Sequence, residues 1–381
     1  MALLIDGAAP VGEAISGGTE VLESLASEWQ HLCDEGTRCQ VPFCRPEWSI
    51  AYTRAYEVKH NVLAVTARVN GRLSAVLPLI RERGFLWGVP VRMLRRAVAD
   101  DTPRFDLALT ADDAEARAAI QTLWHRLRDD SNWDVIKFMA VPESAALWRL
   151  VAEAEKDGFP TGFRRSFRTP IVFVTDSPRA GEDPWLARTS HKFRGELRRK
   201  TRRLQEQGEL RIERFERATP EILERYYALE RSTWKGERGC AIVSDSRRVR
   251  YYNEIAGAAE RSGYLTLFFL TLDDRLIAGI FGMTYGGKCL SLRCAFDPAF
   301  NQYSPGHILV NALLRDCAAR NIPEYDFLGE AHEWKQHWTS QTVEHGYCYI
   351  FRPGLFGRAL HVLKFRAVPL GRKLFRRPLP A

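Results

Sequence analysis

One order of structural elements is written twice in this sequence, and that repetition limits the available folds more than any other feature. In the first half, E-V-L-E-S-L-A-S-E-W-Q-H-L-C-D-E over residues 20–35 sets Val21, Leu22, Leu25, Trp29 and Leu32 on one helical stripe. Pro46-Glu47-Trp48 opens a second helix, with Trp48, Ala51, Tyr52, Ala55 and Tyr56 sharing a face. Two strand-like runs then flank Asn70-Gly71, a dipeptide suited to the positive φ angles of a tight hairpin. A helix over 113–128 and a short strand from Asp134 to Phe138 complete the series. The second half predicts helices over 219–232 and 246–262, a hairpin within 264–285 and a strand over 288–296. A helix over 305–320 and a short strand, Tyr325 to Leu328, follow. The hairpins share a phrase, Arg72-Leu73-Ser74-Ala75 against Arg275-Leu276-Ile277-Ala278. The pattern reads as an internal duplication, two α+β halves joined around 175–190, where Asp176, Ser177, Pro178, Gly181 and Pro184 break regularity.

A chain of 381 residues, 45% hydrophobic and 27% charged, has ordinary globular composition and is long enough for two cores. Met1 to Pro10 lacks a basic run and carries Asp6, so no secretory signal is expected. No stretch approaches the ~18 consecutive apolar residues of a membrane span. The eight cysteines include no C-x-x-C pair, and Cys33, Cys39 and Cys44 have no obvious fourth ligand nearby. Reduced, mostly buried thiols and no metal are expected, in a cytoplasmic protein.

The net charge of +8 is localised. Arg352, Arg358, Lys364, Arg366, Arg372, Lys373, Arg376 and Arg377 place eight cations and no acid within 351–381, so the remainder of the chain balances. The basic balance therefore argues only weakly for a nucleic-acid-binding body. In the tail, Leu355, Phe356, Ala359, Leu360 and Leu363 form a helical stripe among the cations, and Val368, Leu370, Leu374 and Phe375 continue it. That composition suits an anionic membrane surface, peripheral on the inner membrane. A helix docked on the body, or a solubilising tail, is the alternative.

The second half resembles a known family. Leu229 to Ile242, L-E-R-S-T-W-K-G-E-R-G-C-A-I, is similar to the E-x-S-x-W-K-G-x-x-G-x-A-I signature of CelD-like acyltransferases. Ala295-Phe296-Asp297-Pro298, Tyr303-Ser304-Pro305-Gly306 and Tyr325-Asp326-Phe327-Leu328-Gly329, then Trp334-Lys335 and Trp338, resemble the segments that follow it there. Ser190-His191-Lys192-Phe193-Arg194 through Leu204 resembles the basic helix that opens the domain. The match covers about 190–350; the first half resembles the family only in pattern. The resemblance implies tandem GNAT domains related in architecture to the FemA/FemB transferases, with mixed, mostly antiparallel sheets flanked by helices. The implied division is a degenerate N-terminal domain over 1–180, an acyltransferase domain over 181–350 and a basic tail over 351–381. It also implies transfer of an acyl group from a thioester, acyl-CoA or acetyl-CoA, to an amine or hydroxyl in lipid or surface-polysaccharide assembly. A sphingoid base acylated to ceramide and an amino sugar are both such acceptors.

Acyl transfer needs an anchored donor, a deprotonated acceptor and a stabilised oxyanion. The helix start at Ser304-Pro305-Gly306-His307 can supply the anchor, with Ser304 capping and Gly306 admitting a phosphate to the free N–H groups. The usual GNAT phosphate loop reads Q/R-x-x-G-x-G/A; here Gln302 precedes a single Gly306 by one residue more. A capped core helix is the bland reading. Candidate bases are His332, beside Glu330, Asp297 at a strand end, and Glu230, whose pKa an aromatic neighbour could raise. Lys235 can bind a carbonyl oxygen or phosphate, and Trp234, Tyr303, Lys335 and Trp338 are placed as substrate contacts. A turn-forming Asp-Pro, a surface Glu230–Lys235 pair and a Trp334/Trp338 core staple are the structural alternatives. Seven Lys/Arg between Lys192 and Arg203 can steer donor phosphates or contact tRNA.

The function expected is N-acyl transfer from a small-molecule thioester to an amine. An aminoacyl-tRNA-dependent transferase, the one route to nucleic acid, and a non-catalytic membrane-associated scaffold are the alternatives.

Overall fold

The computed structural model describes residues 9–35, 37–174 and 183–367. They form two compact units: one holds the chain up to Ser166 and again from His345, the other runs from Phe167 to Glu344. The joint thus falls inside a strand rather than in the breaker-rich stretch near 175–190, of which 175–182 lies outside the described residues. The expectations for residues 1–8 and for Val368, Leu370, Leu374 and Phe375 also lie outside them.

The first unit opens with β1 (Val11–Gly17), α1 (Glu20–Asp34) and α2 (Pro46–Ala55), followed by β2 (Val62–Val69), β3 (Arg72–Leu86), β4 (Val89–Arg96) and β5 (Ala108–Leu109). Then come α3 (Asp113–Asp129), β6 (Val135–Pro142), α4 (Leu147–Lys156) and β7 (Thr161–Phe173), which leads out of the unit. Strands β1, β2, β3 and β4 pair antiparallel in that order, and β4 pairs with β6 in parallel. The Asn70-Gly71 turn has positive φ at both residues, 51° and 78°, as the hairpin reading requires. A second hairpin, β3–β4, was not legible beforehand: its turn is Trp87-Gly88 (φ 50° and 81°), and tryptophan carries no turn signal.

The second unit contains α5 (Pro184–Ala187), α6 (His191–Gln205), β8 (Leu210–Phe215), α7 (Pro220–Arg231), α8 (Trp234–Glu237) and α9 (Ser246–Arg261). It continues through β9 (Leu265–Leu272), β10 (Arg275–Tyr285), β11 (Lys288–Phe296), α10 (Pro305–Ala319), β12 (Glu324–Asp326) and α11 (Glu333–Gln336). Strands β8 to β11 pair antiparallel in sequence, β11 pairs with β12 in parallel, and β12 pairs with the end of β7. Hairpin, following strand, crossover helix and parallel strand thus recur in both units. The core between α10 and its sheet gathers Ile308, Leu309, Leu313, Phe268, Ile280 and Tyr325.

The chain re-enters the first unit along β13 (Thr342–Phe351) and ends its described part in α12 (Leu355–Val362) and a π-helical turn to Ala367. From His345 onward β13 pairs antiparallel with β6. The expected tail stripe is split: Leu360 is buried with Leu86, Val91 and Phe351, whereas Leu355 and Phe356 are exposed. No described helix is long and apolar enough to cross a membrane.

Candidate functional site

Strands β11 and β12 pair only at Lys288–Glu324, Cys289–Tyr325 and Leu290–Asp326; beyond Leu290, β11 parts from β12 and runs on to Phe296 paired with β10 alone. An extra residue, Leu292, interrupts the β10–β11 register between Gly282–Ser291 and Phe281–Arg293, and such a bulge re-aims the strand beyond it. The gap this leaves is a cavity of about 250 Å3 between β11 and α10. Cys294, Ala295 and Phe296 line one side, Gly306, His307 and Val310 the other, with Asn301 and Trp334 at its ends. A Cβ on Gly306 would only reach ordinary contact with Phe296, at 3.7 Å, so the glycine leaves room across the cavity.

A second, more polar hollow adjoins it and shares Ser304 and His307. Its other wall is α6, through Lys192, Phe193, Glu196, Leu197 and Lys200, residues three and four apart that share one helical face. Lys200 Nζ donates to Ser304 Oγ at 2.8 Å. This corrects the expected cap: Ser304 occupies the N-cap position in the left-handed region (φ 52°), but its hydroxyl does not cap α10. The first turn of α10 holds no acid; Pro305 has no N–H, and His307 N and Ile308 N donate to Ser304 O. The Gly306 N–H, the helix dipole and the α6 lysines therefore supply the positive character there. In the first unit the corresponding helix α3 is the opposite. Asp112 accepts from Ala114 N and Glu115 N, and Asp113 and Glu115 occupy the first turn, so a carboxylate already fills the place of an anion.

His307 is the residue common to both hollows. Trp338 Nε1 donates to His307 Nδ1 at 3.1 Å, and an indole N–H can only donate. The neutral ring therefore carries its proton on Nε2. Burial, with the nearby His337 and Lys200, pushes the His307 pKa down to about 4, so the ring is neutral at ordinary pH. Phe193 packs edge-on against His307 and Trp338 and stacks on His337, fixing the imidazole plane.

The W-K-G segment proves to be a structural anchor. Glu230 is fully buried and accepts from Lys235 Nζ (3.1 Å), Arg293 Nε (2.7 Å) and Ile242 N (2.8 Å). Burial alone would raise its pKa, but Lys235 and Arg293 outweigh that and hold the carboxyl below the usual range. The expected raised pKa at Glu230 is therefore corrected. Lys235 also donates to Cys294 O at 2.7 Å, tying α8 to the bulged strand. A Cβ on Gly236 would lie 1.9 Å from Arg231 O, which is why glycine stands there. Trp234 is 53% exposed, with Arg238 over its ring, and does not line the cavity.

The other expected residues separate in the same way. Asp297 accepts from Ala299 N and from Arg275 Nη2 (2.5 Å), anchoring the loop before α10. Lys335 is buried, its pKa lowered by burial, and donates to Leu328 O at 2.6 Å, where the chain turns through the left-handed region after β12. Trp338 reaches the site through His307, and Tyr303 packs at the edge of the core. Gln302 and His332 are exposed and line neither hollow. Sequence reasoning did not single out Lys200, Asn301 or Trp334 for the site. The seven-cation run contained Lys200, but only helical phase and the fold select it from its neighbours.

Comparison with known proteins bears on the domain and the fold. Residues 191–336 match the family model described as an acetyltransferase (GNAT) domain. The fold is similar along nearly its whole length to the C-terminal domain of a putative lysylphosphatidylglycerol synthetase from Agrobacterium fabrum (10% identity, TM-score 0.54, covering 91% of this chain and 96% of that one). It is similar likewise to FemX (14%, 0.55, 92% and 99%) and to L-PGS from Bacillus licheniformis (11%, 0.52, 91% and 96%). At such identities the likeness is one of fold. No curated protein matches by sequence. The second unit thus carries a GNAT acetyltransferase domain, which makes the chain a transferase, and its fold is α/β with mixed, mostly antiparallel sheet flanked by helices.

Proposed function

We propose that the second unit moves an acyl group from a phosphorylated thioester, acyl-CoA or acetyl-CoA, to an amine of a lipid or surface-polysaccharide precursor, in the manner of CelD-like acyltransferases. The observation that carries this reading is the Lys200–Ser304 contact at the acid-free start of α10, directly beside an apolar cavity. The pyrophosphate of the donor suits the helix start and Lys200, and its uncharged arm suits the space between Phe296 and Val310. The His307 Nε2–H then serves as the donor to the thioester carbonyl oxygen as negative charge develops there. The amine nitrogen bonds to the carbonyl carbon, the C–S bond breaks, the thiolate leaves and the ammonium proton is lost. Of the three candidate bases, Glu230 is held by two cations and Asp297 by Arg275 and its cap; His332, exposed outside both hollows, receives that proton only by way of solvent. The first unit, with its carboxylate-filled helix start, is the degenerate partner. The reaction is assigned to the cytoplasmic side of the inner membrane.

An aminoacyl-tRNA donor is the second reading. It is favoured by exposed Arg198, Arg199, Arg202 and Arg203 on α6, beside the positive locus, and by the fold's likeness to FemX. The test is thiol release from purified protein given acyl-CoAs from acetyl to palmitoyl, with and without a bacterial lipid extract. Lipid-dependent release supports the first reading. A protein that consumes no thioester but retards charged tRNA in a salt-sensitive way overturns it.

A further inference from the structure

The most exposed apolar surface of the first unit lies on two elements that pack together. At the end of the β3–β4 hairpin the sequence Phe85-Leu86-Trp87-Gly88-Val89-Pro90-Val91 contains no polar side chain. Pleating divides it: Leu86 and Val91 turn inward, whereas Phe85 is 74% exposed and Trp87 also faces solvent. The inward residues meet Leu360 of α12 and Phe365 beyond it, and Lys364 Nζ lies 3.9 Å from the Trp87 ring centroid. Helix α12 docks by Gly357 and Leu360 and leaves Leu355, Phe356 and Val362 outward, Leu355 at 91% exposure. Gly357 permits the tight entry from β13 into α12, since a Cβ there would lie 1.9 Å from Arg352 O.

Of the twelve exposed large hydrophobic residues among those described, five fall on this hairpin tip and helix. A cluster of that kind marks an interaction face, unlike apolar residues scattered singly. We propose that the Phe85–Trp87 tip and the outward face of α12 together dock on an anionic phospholipid bilayer. Charge selects this occupant. Arg83, Arg358 and Arg366 are exposed on these elements, Glu82 of the hairpin is already paired with Arg95, and the described chain from Leu355 to Ala367 holds no acid. A second copy of the same face would meet like charge with like charge. Aromatic side chains at a tip, a short helix lying flat and surrounding arginines are the composition that partitions into a headgroup layer. The surface is independent of the acyl-transfer reading, since it uses no residue of the second unit.

The test is co-sedimentation of the full chain with vesicles of phosphatidylcholine alone or mixed with phosphatidylglycerol. Binding is expected only to the mixed vesicles. The pairs Phe85→Ser/Trp87→Ser and Leu355→Glu/Val362→Glu should each weaken it about tenfold or more with unchanged thermal melting. Ile212→Ser, at an exposed apolar site of the second unit, should leave binding intact. Binding that both pairs retain would overturn the proposal. So would equal binding to neutral vesicles, or a wild-type dimer in solution that the same substitutions dissolve.

Discussion

Trp338 holds His307 in one tautomer: its indole N–H, 3.1 Å from Nδ1, leaves the imidazole its Nε2–H as the only hydrogen to offer the cavity. Both residues lie outside the W-K-G segment that dominates the family resemblance. His307→Phe should therefore lower kcat by about 100-fold, the scale of losing one preorganised oxyanion donor. Trp338→Phe, which keeps the packing but frees the tautomer, should cost less, about tenfold, with an unchanged KM for the donor. Steady-state kinetics of the two variants against acyl-CoA checks this, and an unaffected kcat in His307→Phe would remove the residue from the reaction.

Lys200 should act on binding rather than chemistry. Its ammonium sits beside the α10 start and bonds Ser304, so Lys200→Met should raise the donor KM about tenfold, the scale of one charge-assisted hydrogen bond. Added salt should raise the wild-type KM but move that of the variant less, because the screened charge is gone. A KM that does not change would place the donor phosphates elsewhere.

Stability should hang on Glu230. Removing its carboxylate leaves Lys235 and Arg293, each mostly buried, without their counter-charge, and one partner lost from such a set costs about 3–5 kcal/mol. Glu230→Ala should lower the melting temperature of the second unit by many degrees. Glu230→Gln, which keeps an acceptor oxygen, should lower it less. A Glu230→Ala protein that melts like wild type but turns over slowly would instead restore Glu230 to the chemistry.

The pH response of the second unit should follow His307. Its pKa falls from about 6.5 in the unfolded chain to about 4 when folded, so between those values the unfolded state binds the extra proton. Stability is thus retained above pH 6.5 and lost progressively down to pH 4, by roughly 3 kcal/mol in all. Chemical denaturation at a series of pH values, repeated with His307→Phe, should show that slope shrink in the variant.

His332→Ala should lower kcat, while Asp297→Asn should weaken donor binding by loosening the loop before α10. Steady-state kinetics of the two variants separates the two roles; an unchanged kcat in His332→Ala would leave the proton to solvent alone.

The sequence alone determined the repeated order of elements. Apolar period, Asn70-Gly71, Pro46 and Pro305 are local signals read within a turn or two of chain. The helices, the hairpin about Asn70-Gly71 and its counterpart, and the later helix and short strand followed from them; the parallel pairing of that short strand did not. It also placed the start of α10 and the presence of His307. What it did not determine is which conspicuous residues face the cavity. Glu230 and Lys235 are close in sequence and form a motif, yet a partner 63 residues away, Arg293, turns them into an anchor. Lys200 and Ser304, 104 residues apart, share no local pattern, and only the packing of α6 on α10 brings them together. The tail behaves likewise: its apolar period predicted a helix, but which face is buried depended on the β3–β4 hairpin, whose Trp87-Gly88 turn has no sequence signature. Local signals are short-range and additive, whereas a site is a set of long-range contacts whose charges and tautomers are set by what else is buried beside them.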